Sequence, residues 1–233
     1  MKLISYRQAS SLALLLLLAA LLVLSGCASS AESADEVRHA TLENVDTVEI
    51  DHGSTPLQLE VAEIDSLQAS LLLPRGKGGI IVEEGQSSLN IRLKDSVTQI
   101  LNLGKKPQLH VVVPSHFKGK VVVKGSSGNV KGKQLQSHQL DIRGKSGNVV
   151  LEYAELNNDL TVSLHSGNVS VQVEEEKLDA NWLLQTKSGR RSIGFPLDKQ
   201  EEKKGRTAGI TGAGSVKVEL ETKSGNITVN SKR

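Results

Sequence analysis

Apolar and polar residues alternate on both sides of a repeated Ser-Gly dipeptide in the second half of the chain. The dipeptide occurs at residues 127–128, 146–147, 166–167, 188–189 and 224–225. The positions seven and five residues before each glycine are all apolar, as are eight of the ten positions two and four residues after it. Because spacing by two places side chains on one face of a strand, the pattern predicts units of strand, turn and strand.

Residues 45–123 lack the dipeptide but alternate in the same way, which predicts further strands. The alternating apolar residues are Val48/Ile50, Leu57/Leu59/Val61, Leu67/Ala69/Leu71, Leu89/Ile91/Leu93 and Leu109/Val111/Val113.

A pair of short strands cannot bury its apolar face alone, whereas similar units stacked about 4.8 Å apart form one continuous core. We therefore predict an all-β fold, a β-solenoid of about 20-residue strand-turn-strand repeats. An antiparallel β-sandwich is the alternative. The acidic segment 174–180 and the segment 196–215, rich in Lys, Glu and Gly, are predicted to be loops off the stack.

The N-terminal segment has the pattern of a bacterial lipoprotein signal. Lys2 and Arg7 precede a Leu/Ala run that ends in Leu-Ser-Gly-Cys, which resembles the lipobox that directs lipidation of its cysteine, here Cys27. We predict a signal peptide over 1–26, a lipidated Cys27 with a flexible tether over 27–44, and a β-repeat domain over 45–233. The alternative is a secreted protein with one incidental cysteine.

Charge and aromatic content narrow the classes of partner. Removal of residues 1–26 leaves 26 basic and 26 acidic residues, so the chain has no overall attraction to nucleic acid. Aromatic residues are 2% of the chain, which argues against surfaces that stack on sugars or bases. Tyr153, Trp182 and Phe195 fall at positions predicted to face the core. No nucleic-acid partner is expected.

The Ser-Gly-Asn tripeptides predict turns, because Gly and Asn tolerate positive φ. A serine nucleophile needs a base and an orienting partner, and five near-copies argue against an active site. Stacked asparagines would form a ladder of hydrogen bonds. The predicted turn residues are Ser127, Gly128, Asn129, Ser146, Gly147, Asn148, Ser166, Gly167, Asn168, Ser188, Gly189, Ser224, Gly225 and Asn226.

Basic residues on the outward alternation form a candidate basic edge near these turns. Such an edge could bind teichoic acid, lipopolysaccharide or phospholipid headgroups. The alternative is a set of solvated lysines that discourage aggregation. The residues are Lys124, Arg143, Lys145, Lys187 and Lys223.

No pattern in the chain predicts a metal or cofactor site. The six histidines form neither an HExxH motif nor a His-x-His pair, so a zinc site would require assembly across repeats. Phosphate-binding loops, dinucleotide fingerprints and a G-x-S-x-G elbow are missing from the sequence. We therefore expect neither a cofactor nor catalysis.

From Leu109 onward, the strands, the turns and the final Ser224-Gly225-Asn226-Ile227 resemble the bacterial family of β-strand-repeat domains known as putative adhesins, which includes LiaG-like envelope proteins. The resemblance implies an all-β repeat fold, an extracytoplasmic setting and no established enzymatic activity. It also implies a role in adhesion or as an accessory to envelope-stress signalling. Arg190-Arg191 departs from the pattern, which predicts a bulge or a local shift of frame.

These observations favour a lipid-anchored, non-enzymatic interaction module on the extracytoplasmic face of the cell membrane. The expected partners are the membrane, through the lipid anchor, and an envelope polymer or protein. The alternative is an enzyme that acts on envelope polysaccharide from a β-helix scaffold, which would need two carboxylates within catalytic distance.

Overall fold

The alternation along each strand directs one row of side chains into a narrow interior between two sheets. The computed structural model describes residues 34–73, 79–94, 107–135, 139–175 and 177–231. The strands are β1 (Ala34–Ala40), β2 (Thr47–Gly53), β3 (Leu57–Ala62), β4 (Leu67–Leu73), β5 (Ile80–Glu84), β6 (Ser88–Leu93), β7 (Gln108–Pro114), β8 (Lys120–Gly125), β9 (Val130–Leu135), β10 (Gln139–Gly144), β11 (Val149–Tyr153), β12 (Leu160–Ser166), β13 (Val169–Val173), β14 (Ala180–Ser188), β15 (Arg191–Ile193), β16 (Asp198–Lys203), β17 (Arg206–Thr211), β18 (Val216–Ser224) and β19 (Ile227–Ser231).

The strands form two sheets. Sheet A has the order β1-β4-β7-β3-β9-β11-β13-β19-β15, and sheet B has the order β16-β17-β14-β18-β12-β10-β8-β2-β6-β5. We call two strands that follow each other in the chain, one in each sheet, a coil. Neighbouring coils pair in parallel in both sheets, for example β10 with β12 and β11 with β13. This parallel stacking confirms the predicted solenoid-like repeat and excludes the antiparallel sandwich.

The order of coils in space differs from their order in the chain. The last coil, β18–β19, lies between β12–β13 and β14–β15, because β18 pairs with both β12 and β14. At the other end, β2–β3 lies between β6–β7 and β8–β9. The coil that carries Arg190 is therefore the terminal coil of the stack.

The interior is aliphatic, as the composition predicts. All ten apolar residues seven and five positions before the turn glycines are buried, and the aliphatic ladder continues through β2, β6 and β7. Trp182 and Tyr153 are buried and Phe195 is half-buried, as expected, but Phe117 is buried as well. Among the described residues, no fully exposed aromatic ring remains for stacking on a sugar.

The tether predicted over 27–44 is wrong in its second half. Residues 34–40 form β1, which pairs with β4 in an antiparallel ladder at the edge of sheet A. Ala40 is buried whereas Val37 is 48% exposed. Backbone hydrogen bonds to β4, rather than burial of alternate side chains, hold this strand in place. Its sequence therefore needs no alternation of apolar and polar residues. The predicted signal peptide and Cys27 lie outside the described residues.

The loop predicted over 196–215 is also wrong, because it contains the antiparallel hairpin of β16 and β17. This hairpin extends sheet B beyond β14. Every residue of β16 is exposed, so backbone pairing again forms a strand that hydrophobic periodicity cannot reveal. A similar edge strand, β5, pairs with β6 at the opposite end. These antiparallel strands close the ends of sheet B.

Candidate functional site

Four asparagines at the turns form a continuous ladder of hydrogen bonds along the stack. Asn129 Oδ1 accepts from the backbone N–H of Asn148 at 2.8 Å, and Asn148 Oδ1 accepts from that of Asn168 at 2.9 Å. Asn168 Oδ1 then accepts from the N–H of Asn226 at 2.9 Å. The side chain of each asparagine thus satisfies the backbone of the next coil.

The ladder ends at Arg190, whose backbone N–H donates to Asn226 Oδ1 at 2.9 Å. Arg190 lies in the terminal coil, so no further turn requires a side-chain acceptor from it. The order of coils in space therefore accounts for the one turn that lacks asparagine. β15 next to it spans only Arg191–Ile193 and pairs in register with β19, with no bulge or shift of frame.

Replacing Asn148 with alanine should lower stability, because the N–H of Asn168 loses its acceptor. We expect a loss of about 1 kcal/mol, or about 2–4 °C in Tm. Asn148→Asp keeps an acceptor oxygen and should retain most of that stability. Thermal unfolding followed by circular dichroism measures both variants, and equal losses in the two would contradict the role of the acceptor.

The five residues of the predicted basic edge divide into two groups. Lys124 Nζ lies 2.6 Å from Glu49 Oε1, and Arg143 Nη2 lies 2.7 Å from Asp141 Oδ2. Lys120 Nζ contacts the same Asp141 oxygen at 3.1 Å. Burial alone would raise the pKa of Asp141, but hydrogen bonds and charge from Arg143 and Lys120 together lower it. Lys124 and Arg143 thus each have a carboxylate partner, although Arg143 shares Asp141 with Lys120.

Lys145, Lys187 and Lys223 form the second group. Each is exposed, and none has a carboxylate partner among the described residues. They occupy equivalent positions in neighbouring coils, since the flanking pairs Ser166↔Ser224 and Ser188↔Ser224 are in register. His165 occupies the equivalent position in β12. We call Lys145, His165, Lys223 and Lys187, in this spatial order, the cationic row.

The cationic row borders two concavities on the outer face of sheet B. One, of about 400 Å³, is lined by Lys145, His165 and Lys223 together with the paired Lys124 and Arg143. The other, of about 540 Å³, is lined by Lys187 and by basic residues of the β16–β17 hairpin. Glu221 lines both. The hairpin residues are Lys203, Lys204 and Arg206.

Sequence reasoning missed the contribution of this hairpin, because its residues lie far from the turns in the chain. Lys203 and Arg206 contact Glu201 at 3.2 and 3.3 Å, so of the three hairpin cations that line this concavity Lys204 is the one without an ion pair in the described structure. Only the antiparallel pairing of β17 with β14 brings these residues beside Lys187. The signal that could have revealed them is the cluster of basic residues in 203–206.

The turn serines repeat from coil to coil at the ends of the strands that carry the cationic row. Ser146, Ser166, Ser224 and Ser188 follow its members directly in the chain and repeat from coil to coil. At the first turn, Ser127 Oγ instead donates to Ser54 Oγ at 3.0 Å, and Ser54 Oγ lies 2.8 Å from Ser126 Oγ. Because neighbouring residues of a strand point to opposite faces, the serine that follows each cation points away from the face that carries the cationic row.

His52 is buried at the turn of β2, and its imidazole fills the space beside a glycine. Nδ1 lies 2.7 Å from the Thr55 carbonyl oxygen, so Nδ1–H donates. A Cβ added to Gly125 would lie 2.1 Å from Nε2, so the ring packs directly on that backbone. Burial lowers the pKa of His52 below its ordinary 6.5, although the Thr55 hydrogen bond and Asp51 oppose the shift.

This burial predicts a dependence of stability on pH. A lowered pKa in the folded state means that the unfolded chain binds the proton more tightly, so stability is complete above pH 6.5 and falls as the pH drops below it. Between pH 7.5 and 5.5 the wild type should lose up to about 1 kcal/mol more than His52→Gln. Urea unfolding at the two pH values tests this, and parallel losses would contradict it.

The described ranges contain neither a metal-binding cluster nor a helix that could span a membrane. No cluster of three or more His, Cys, Asp or Glu side chains there could hold a metal ion. Likewise, no helix in those ranges has the length and hydropathy to cross a membrane.

A family model described as Toastrack DUF4097 matches residues 86–230, which is more than half of the chain. A solved structure described as a "putative cell adhesion protein" from Clostridium sporogenes is similar, with a TM-score of 0.61 and 13% identity over 85% of this chain and 99% of that chain. A "putative adhesin" from Bacteroides fragilis aligns over 86% of this chain and 98% of that chain, with a TM-score of 0.34 and 15% identity. No protein with a curated description matches.

Proposed function

The chain belongs to the Toastrack DUF4097 family, and from this premise we propose that it is a lipid-anchored interaction module on the extracytoplasmic face of the bacterial cell membrane. In this proposal it binds an envelope component and catalyses no reaction. Adhesion and an accessory role in envelope stress are both compatible with such a module. The stack of coils acts as a rigid support that holds binding side chains at fixed spacing.

The observation that carries the proposal is the cationic row. Its lysines have no carboxylate partners among the residues that the structure describes, although 26 acidic residues balance 26 basic ones after residue 26. On a surface with no net charge, basic and acidic side chains are usually interspersed. Here, Lys or His occupies the equivalent position in four neighbouring coils. Concentrated charge of one sign favours binding to a partner of the opposite sign.

The lipobox resemblance supports the anchor. A diacylglycerol-modified Cys27 carries two acyl chains, which suffice for stable attachment to a membrane, whereas one chain does not. Labelling cells with an alkyne palmitate analogue tests this part of the proposal. The wild-type chain should incorporate the label and Cys27→Ala should not, and label retained in Cys27→Ala would contradict the anchor.

The binding function is tested by incubating the full chain, in micelles of a neutral detergent, with isolated bacterial cell envelopes. We expect the envelopes to retain the protein at 50 mM NaCl and to release much of it at 500 mM, with no soluble glycan fragments formed. Release of glycan fragments would instead favour the polysaccharide-active enzyme. No retention at either salt concentration would contradict the interaction module.

A further inference from the structure

We propose that the cationic row binds a linear polyanion whose charges are phosphate diesters, with the polymer running along the stack and across the strands. This inference rests on the proposed function and specifies its ligand. Neighbouring coils are about 4.8 Å apart, so the row presents four Lys or His side chains over about 14 Å. A flexible chain with one phosphate in each short repeat can place successive phosphates against successive coils.

The cationic row has one side chain on each strand, which favours a linear ligand over a flat charged surface. Two residues further from the turn, the outward positions of the four coils that carry the row are Arg143, Ser163, Glu221 and Gln185, and the next ones include Glu219 and Asp141, the partner of Arg143. A planar membrane surface would meet these carboxylates together with the lysines. A polymer chain lying along the turn edge meets the cations and avoids most of the acids.

The location of the row along the stack agrees with a polymer outside the membrane. β1 lies at one edge of sheet A and β15 lies at the other, eight strands away. The row begins at coil β10–β11, about 24 Å from β1 along the stack, and ends about 38 Å away. β1 begins seven residues after Cys27, so in a lipid-anchored chain β1 is the described strand nearest to the anchor in the sequence.

The test uses the full chain in neutral detergent micelles and purified poly(glycerol phosphate) as the probe. Combined replacement of Lys145, Lys187 and Lys223 with glutamine should weaken binding on the order of a hundredfold at low salt, since each lysine near an anionic array contributes about fivefold. It should also reduce the magnitude of the slope of log K against log salt concentration by about 2.

The matched control replaces Lys118, Lys131 and Lys133 with glutamine, which removes the same charge from other faces of the domain. We expect its affinity to stay within about threefold of the wild type. Glu221→Gln removes the carboxylate between the two concavities and should strengthen binding several-fold. All replaced side chains are exposed or half-buried, and an unchanged Tm verifies that each variant folds.

Three results would overturn this inference. The first is an equal loss of affinity in the two triple variants. The second is competition by glycerol phosphate monomer as effective as the polymer at equal phosphate, because a row of sites must favour the linked phosphates. The third is binding to phosphatidylglycerol vesicles with the same affinity and the same dependence on the three lysines, which would indicate lipid headgroups.

Envelope binding separates this inference from the proposed function. If isolated envelopes retain the variant lacking Lys145, Lys187 and Lys223 as well as the wild type, the ligand assignment is wrong and the interaction module stands. If envelopes retain neither protein, the proposed function fails.

Discussion

Gly167→Ala should destabilise the domain by about 4 kcal/mol or more, a large fraction of the roughly 5–15 kcal/mol that stabilises an ordinary domain. Gly167 has a φ of +128°, which L-residues rarely adopt, and an added Cβ would lie 2.0 Å from the carbonyl oxygen of Gly147 in the neighbouring coil. Neither backbone can move without breaking the asparagine ladder. Chemical denaturation measured by circular dichroism gives the free energy of unfolding.

Gly53→Ala is the matched control for this prediction. Gly53 also has a positive φ, +55°, but an added Cβ would meet no atom within 4 Å. This variant should therefore lose only the conformational term, about 1–2 kcal/mol. The difference between the two variants measures the close approach of coils at the turn together with the extra strain of a φ of +128°. Similar losses in both would show that backbone conformation, rather than stacking distance, requires the glycine.

Trp182→Ala should destabilise the terminal coil by about 3–5 kcal/mol. The side chain is fully buried, its indole N–H donates to Thr211 Oγ1 at 2.9 Å, and its ring centre lies 5.3 Å from that of Phe195. It links β14 of the terminal coil to β17 of the hairpin, so its loss should open the end of the stack first. Hydrogen exchange of β14–β17 amides should increase more than that of β10–β13 amides.

Trp182→Phe separates the two contributions of this residue. Phenylalanine retains most of the apolar volume but removes the N–H donor to Thr211, so a loss of about 1–2 kcal/mol is expected. Trp182 is the single tryptophan in the chain, so the stability of both variants is measured by circular dichroism. A loss below 1 kcal/mol in Trp182→Ala would contradict its role in closing the stack.

The turn-and-strand pattern was predictable because buried strands impose a period of two and close-packed turns impose glycine. The order of the coils in space was not predictable. Coils that present the same aliphatic face can stack in either order, so side chains alone do not specify that β18 lies between β12 and β14. The edge strands β1 and β16 were missed for a related reason, since backbone pairing holds them and β16 buries no side chain.

The candidate site was predictable in part. Outward alternation identified the basic residues, but their division into paired and unpaired cations depends on which carboxylates lie across the sheet. Asp141 lies two positions before Arg143 in the same strand, and Glu49 comes from a strand 75 residues earlier than Lys124. The second of these contacts can be known only once the pairing of β2 with β8 is known.

The central claim is that the outer face of sheet B, beside the cationic row, contacts an anionic envelope polymer. Photocrosslinking in living cells tests it most directly, with a photoreactive amino acid at Ser163, which lines the concavity, or at Ser170, on sheet A of the same coil. We predict that Ser163 gives a crosslinked product whose mass falls when hydrofluoric acid cleaves phosphate diesters, and that Ser170 gives none. Equal crosslinking from both positions, or a product that resists the acid, would contradict the claim.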